Sequence, residues 1–342
     1  MRALSRLRKI LPLNCSTVKL LNRLATEPIQ QINDLTVHET PCIRYLHGVH
    51  FGKITVVGVG LLGGSIGLAV KRRKLARQIA GFVRRAASLK DCEKAGAVNF
   101  ATTDLPAAVW EADLVILCAP LGQMRPLAER MLPALKPGAV VTDVGSVKAS
   151  VVSELESLIA RSGAHFVGSH PMAGAEKTGV NAARADLFVN AVCVVTPTKK
   201  TNRAALKKVE RFWKALGSQV LELNPATHDA LVSRSSHLPH VMAATLANLV
   251  LNPAQPRLQA ALCANGFRDT TRIASGSPEM WRDIALANRR NLAKSLDAFV
   301  AELKKFQRGL RKGEAQAMAA FFETAKQRRD DWCADCASPS PE

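Results

Sequence analysis

From Lys53 onward, short unbroken apolar runs alternate with segments in which apolar residues recur every three or four positions. Residues 54–58, 79–83, 114–119, 140–143, 165–168 and 192–196 read as strands. Residues 62–73, 88–94, 105–110, 124–132 and 149–161 read as helices between them. Strands that are apolar on both faces, separated by amphipathic helices, predict a parallel sheet covered on both sides. That is an α/β fold with a Rossmann-type doubly wound parallel sheet. Beyond Asn224 the strand pattern stops. Residues 225–251, 256–265, 278–310 and 313–331 read as helices, with proline near several of their starts. Leu292, Leu296, Phe299, Val300 and Leu303 recur at helical spacing and predict one buried stripe. The second half is therefore an all-helical C-terminal dimerisation domain, through which a homodimer is expected.

Composition narrows the class. A chain of 342 residues with 47% hydrophobic content is long enough for two cores and too apolar to be disordered. No apolar run reaches the roughly 18 residues that span a bilayer, so no membrane partner is expected. The net charge of +19 admits nucleic acid as a partner, but only 5% of residues are aromatic and no nucleic-acid-binding motif is present. No nucleic-acid partner is expected. Part of the charge, Lys71-Arg72-Arg73-Lys74, Arg77 and Arg84-Arg85, follows a glycine turn closely and suits a phosphate-rich small molecule.

Cys118 and Cys193 lie in apolar runs, as free thiols in a reducing compartment do. Cys333 and Cys336 have redox-pair spacing but lack the strand and helix such a site needs, and read as exposed tail thiols. Residues 1–26 are rich in Arg and Leu without any acidic residue, the composition of an organellar transit peptide. The location expected is cytoplasmic, or organellar if residues 1–48 are such a peptide.

Gly58-Val59-Gly60-Leu61-Leu62-Gly63 falls between a buried strand and a helix. In that setting Gly58 permits the tight turn, Gly60 lets a pyrophosphate approach the backbone, and Gly63 allows close packing of helix on strand. The free N–H groups around Leu61 and Leu62 then face the phosphates. An NAD site usually carries an acidic residue about 20 positions on, to bind the ribose hydroxyl. Here Val83 stands 20 positions after Gly63 and is followed by Arg84. A guanidinium matches a 2′-phosphate, so NADP is expected, with NAD as the alternative. The organisation that follows is a leader or disordered extension (1–50), a dinucleotide-binding domain (51–224), a helical substrate and dimerisation domain (225–331) and a tail (332–342).

Two polar motifs follow strands, where ligands bind in open α/β sheets. They are Val144-Gly-Ser146-Val-Lys148 and Gly168-Ser-His170-Pro-Met-Ala-Gly174. A Ser and a His on neighbouring strand ends can converge on one substrate hydroxyl, and a neutral imidazole accepts its proton near pH 7.

With Ser236-His-Leu-Pro-His240, Gly266-Phe-Arg-Asp269-Thr-Thr-Arg272 and Met280-Trp-Arg-Asp283, these motifs stand in an order that resembles the prephenate/arogenate dehydrogenase family of tyrosine biosynthesis. The resemblance runs from about residue 53 to about residue 310. It implies oxidative decarboxylation of prephenate to 4-hydroxyphenylpyruvate, or of arogenate to tyrosine, with nicotinamide reduction. It further implies that His170 takes the proton of the 4-hydroxyl and that Ser146 orients His170 and the hydroxyl. Arg272 would bind a substrate carboxylate, oriented by Asp269, and His240 would meet the substrate side chain. Glu176 is a candidate for discriminating the arogenate ammonium, or a member of a structural ion pair. His237 is assigned to structure. His228, with His237 and His240, suggests a metal only weakly, because no carboxylate or thiolate completes the set.

A β-hydroxyacid dehydrogenase would share the dinucleotide sheet and following helices, but would rely on a lysine in the helical domain. A non-catalytic NADP-sensing or nucleic-acid-associated protein would declare itself by salt-dependent binding to duplex or single strands.

Overall fold

A computed structural model describes residues 50–174, 178–252, 254 and 257–337. Among the described residues the first half holds eight strands: β1 (Phe51–Val57), β2 (Ala76–Phe82), β3 (Phe100–Thr102), β4 (Leu114–Leu117), β5 (Val140–Asp143), β6 (His165–Pro171), β7 (Val192–Thr196) and β8 (Gln219–Glu222). They form one sheet in the order β3-β2-β1-β4-β5-β6-β7-β8. The helices between them are α1 (Leu61–Arg72), α2 (Ala87–Lys94), α3 (Leu105–Val109), α4 (Leu121–Met131), α5 (Ala149–Ala160) and α6 (Arg203–Ala215). The chain winds outward from β1 in both directions, the doubly wound arrangement expected from the alternation.

The apolar strands have two buried faces. Ile54, Leu114, Ile116 and Val140 join one core cluster, with Ile66 and Val70 of α1 and Phe212 and Trp213 of α6. Their neighbours Val57, Val115, Leu117 and Val141 join the other, with Leu127 of α4 and Leu155 of α5. Successive side chains alternate between two helical layers, so no position on these strands has to be polar.

The strand pattern alone predicts a wholly parallel sheet, and the observed sheet departs from it at one pair. β6 and β7 pair antiparallel, with His170 opposite Val194, while every other pair is parallel. A parallel return needs a crossover, usually a helix. The described residues between β6 and β7 contain only a short 3-10 turn, Val180–Ala182. β3 and β8 escape the sequence reading because they are short edge strands with no buried residue.

The second half contains α7 (Pro225–Val232), a π turn (Ser233–His237), α8 (Leu238–Val250), α9 (Arg257–Ala261), α10 (Asn265–Thr271), a 3-10 turn (Arg272–Ser275), α11 (Pro278–Ala287), α12 (Arg289–Arg311) and α13 (Ala315–Ala337). Three helices expected to be continuous are therefore broken. Pro239 has no N–H to continue the helical ladder, and the turn before it widens into the π segment. The expected helix 256–265 divides at residues 262–264, and that of 278–310 divides at Asn288. The last helix runs through the expected tail to Ala337, with Cys333 exposed on it.

The predicted stripe is buried only at Leu292; Leu296 and Phe299 are half-buried, while Val300 and Leu303 are exposed. Leu249, Leu258, Leu262, Phe322 and Trp332 also stand largely in solvent. Among the described residues no helix is long and apolar enough to cross a membrane. The leader-like residues 1–48 and Glu176 lie outside the described residues.

Candidate active site

The glycine turn sits at the carboxyl end of β1, an interior strand paired with β2 and β4. Gly58 has φ +103°, and a Cβ there would lie 2.4 Å from the carbonyl oxygen of Cys118. A Cβ on Gly63 would lie 2.1 Å from the Gly58 carbonyl oxygen, which is how α1 comes so close to its strand. Gly60 differs: its absent Cβ would meet nothing within 4 Å. It borders open space at the start of α1, whose first turn has no side-chain cap and no acidic residue. Uncapped N–H groups beside an open glycine fit a pyrophosphate. Arg84 lies two residues beyond Phe82, which is level with Val57 in the β1–β2 register. It is exposed. These residues fit a nicotinamide dinucleotide held by Gly58, Gly60, Leu61, Leu62 and Gly63, with Arg84 alongside.

The polar motifs lie at the ends of β5 and β6. β6 extends beyond the expected 165–168, so His170 is a strand residue, 7% exposed. Beneath it lies a buried ionic pair. The Lys148 ammonium donates to Asp143 and, at 2.8 Å, to the Ser169 carbonyl. Asp143 also accepts the backbone N–H groups of Gly145 and Ser169. The Ser169 hydroxyl in turn bonds the Asp143 carbonyl, at 2.6 Å, and accepts from the Trp213 indole. β5 and β6 are thus locked together where Ser146, half-buried, and His170 emerge.

His170 is hydrogen-bonded by His228 of α7, a partner the resemblance does not give it. Its Nδ1 lies 2.9 Å from the His228 Nε2, and the His228 Nδ1 lies 2.8 Å from Asp229 Oδ1. The resemblance gave His228 no place in the site. Its signal in the sequence is the pair His228-Asp229 just inside a proline-started helix, a weak one without the fold. Lys148 was visible within its motif but carried no assigned role.

Burial above all, then the neighbouring His228, Lys148 and His237, push the His170 pKa well below the ordinary histidine value. His170 is a neutral base at physiological pH. His237 is also neutral, with burial lowering its pKa to about 4. Its Nδ1 lies 3.2 Å from the amide nitrogen of Asn288, which also donates to the Asp229 carbonyl. With Nδ1 accepting, the proton sits on Nε2, where no partner meets hydrogen-bond geometry among the described residues. The backbone of Ser146 partly offsets the effect of burial there.

His240, half-buried on α8, lies flat against Trp281 of α11. Its Nδ1 donates to the Ser236 carbonyl at 2.9 Å, so the neutral ring offers its Nε2 as an acceptor. Burial lowers its pKa as well. Arg272 opens the 3-10 turn after α10, three residues beyond Asp269, and that turn packs against α8. Arg272 lines an open cleft with Phe267, Arg268 and Thr271. Among the described residues no cluster of His, Cys, Asp and Glu has the arrangement of a metal site. Burial, with the neighbouring Asp143, raises the pKa of the Cys118 thiol.

Known proteins resemble this chain along most of its length. A family model described as the nucleotide-binding domain of prephenate dehydrogenase matches residues 66–222, and one described as its dimerization domain matches residues 224–326. Prephenate dehydrogenase of Bacillus subtilis is 35% identical over 283 residues, covering 81% of this chain and 75% of that protein. Cyclohexadienyl dehydrogenase of Zymomonas mobilis is 33% identical over 285 residues, covering 82% and 95%. The crystal structure of prephenate dehydrogenase from A. aeolicus, in complex with hydroxyphenyl propionate and NAD+, superposes with a TM-score of 0.78. It is 31% identical and covers 83% of this chain and 99% of that one.

Proposed function

Because the chain belongs to the prephenate dehydrogenase family and is an NAD(P)-dependent oxidoreductase, we propose that it converts prephenate to 4-hydroxyphenylpyruvate and carbon dioxide. The observation that carries this reading is His170: a buried neutral base at the end of β6, beside the Ser146 loop. It lies on the same sheet as β1, the strand that ends in the glycine turn.

A nicotinamide held at the glycine turn would supply the acceptor for a hydride from the ring carbon bearing the 4-hydroxyl. Loss of that hydride gives the carbon carbonyl character, and the hydroxyl proton becomes acidic. His170 takes the proton, with Ser146 holding the same hydroxyl. As the ring carboxylate leaves, the electrons of its bond to the ring complete the aromatic system, and His170 returns the proton to the phenol oxygen. No net proton is released, so a neutral, weakly basic imidazole suffices. Arg272, supported by Asp269, binds a carboxylate of the substrate. It must anchor the substrate without holding the departing group so firmly that its loss is opposed.

We assign NADP as the preferred cofactor, supported by Arg84 and by the lack of a carboxylate at the end of β2. A homodimer through the helical half is supported by the exposed Leu249, Leu258, Leu262 and Phe322. The domain limits proposed remain 51–224 and 225–331.

One observation favours a second reading, arogenate or both acids. The neutral His240 offers an acceptor at Nε2, which suits an ammonium better than a keto oxygen. Glu176, the other candidate for that role, is retained as a proposal. The deciding experiment combines prephenate or arogenate with NAD or NADP and follows nicotinamide reduction. Turnover of prephenate with NADP is expected; none in any combination refutes the assignment.

A further inference from the structure

We infer that His228 and Asp229 are positioning residues that fix the proton of His170 on Nδ1 and keep its Nε2 bare for the substrate. The inference rests on the assignment of His170 as the base.

The direction of the chain of hydrogen bonds is set at Asp229. Its Oδ1 accepts the backbone N–H of Lys148 at 2.7 Å, and its Oδ2 that of Ala149 at 2.9 Å. Both donors stand at the start of α5, whose first N–H groups need acceptors. A carboxylate engaged this way has only lone pairs to offer, so the His228 Nδ1 at 2.8 Å must carry a proton. With that single proton on Nδ1, the His228 ring has a bare Nε2, which must accept from its neighbour 2.9 Å away, the His170 Nδ1. With its proton on Nδ1, His170 keeps its lone pair on Nε2. The opposite sense would set a bare imidazole nitrogen against a carboxylate with no proton between them.

Burial enforces the choice. His228 is 0%, Asp229 2% and His170 7% exposed, so water has little access to substitute for a lost partner. A buried lone pair facing another costs far more than its exposed equivalent. Asp229 reaches the other side of the site as well. Lys148 and Ala149, whose N–H groups it accepts, follow Ser146 by two and three residues. One carboxylate thereby orders both the base and the loop that carries the serine. When His170 takes the proton on Nε2, its Nδ1–H remains donated to His228, and the ring need not turn.

The test is imidazole 15N NMR of the full-length protein at pH 7.5, with the His170 signals assigned by their loss in His170→Asn. The Nδ1–H tautomer is expected; an Nε2–H tautomer overturns the inference. Kinetics supply the second reading. His228→Leu removes the acceptor and is expected to lower kcat about 10²–10³-fold while the NADP Kd changes less than about twofold. His228→Gln, which restores an acceptor oxygen, is expected to recover at least about tenfold of that loss. A folded His228→Leu enzyme with undiminished kcat, or one that Gln fails to rescue, overturns the inference. If His228→Leu does not fold, the tautomer of the wild-type protein decides alone. Should His170→Asn itself retain full turnover, the assignment of the base has failed instead.

Discussion

The imidazole of His240 stacks on the indole of Trp281, with ring centroids 3.6 Å apart and planes 28° from parallel. The contact joins α8 to α11, while the Nδ1–H bond to Ser236 fixes the rotation of the ring. Aromatic pairs of this kind contribute about 0.5–1.5 kcal/mol beyond buried area. Trp281→Ala is therefore expected to raise the substrate KM roughly 2–10-fold, with Trp281→Phe closer to wild type. Steady-state kinetics with NADP saturating would show it. An unchanged KM would separate His240 from substrate binding.

His170→Asn removes the base and keeps a polar side chain of similar reach. Turnover is expected to fall about 10²–10⁴-fold, while NADP binding by fluorescence titration stays near the wild-type value. A parallel loss of cofactor affinity would point to a structural role for this histidine.

Two pH responses follow from the buried imidazoles. Because the His170 pKa lies well below 6.5, its loss as a base does not begin near that value. On the His170 contribution, kcat/KM is expected to stay level as pH falls through 6.5 and to decline only well below it. An acid limb centred near 6.5 that disappears in a substitution of His170 would contradict this. His237, lowered to about 4, acts on stability. Between about 4 and 6.5 the unfolded chain binds a proton there that the folded chain refuses. The stabilising contribution is complete above 6.5 and is lost as pH falls towards 4, by roughly 3 kcal/mol. Urea unfolding at pH 7.5 and 5.0, for wild type and His237→Gln, should show a weaker pH dependence in the variant.

Arg84→Asp exchanges a donor fork for a carboxylate that repels a phosphate and accepts from a ribose hydroxyl. The NADP KM is expected to rise about 10–100-fold, the loss of one charged hydrogen bond, while the NAD KM falls or holds. Equal effects on both cofactors would show that Arg84 does not read the phosphate.

Lys148→Met leaves Asp143 buried without its cation. Breaking such a pair costs about 3–5 kcal/mol, and a lower denaturation midpoint is the expected result. The double variant Lys148→Met with Asp143→Leu should recover part of that loss, since it leaves no uncompensated charge. A single variant as stable as wild type would mean that the pair contributes little.

The sequence by itself determined six of the eight described strands, the glycine turn and the helical second half, because each writes its cause locally. Buried strands must be apolar, a turn that meets the Cys118 carbonyl must be glycine, and amphipathic helices carry their spacing in the chain. The ordered motifs also identified the family. Tertiary structure alone decided how the site residues are held. His170 meets His228 across 58 intervening steps of chain, and Lys148 meets Asp229 across 81; no local pattern encodes such pairings. The antiparallel β7, the π turn before Pro239 and the break at Asn288 belong to the same class. Each is settled by which backbone and side-chain groups find partners once the two halves pack. That is why His170, Ser146 and the glycines were legible as residues, while the hydrogen bonds that orient them were not.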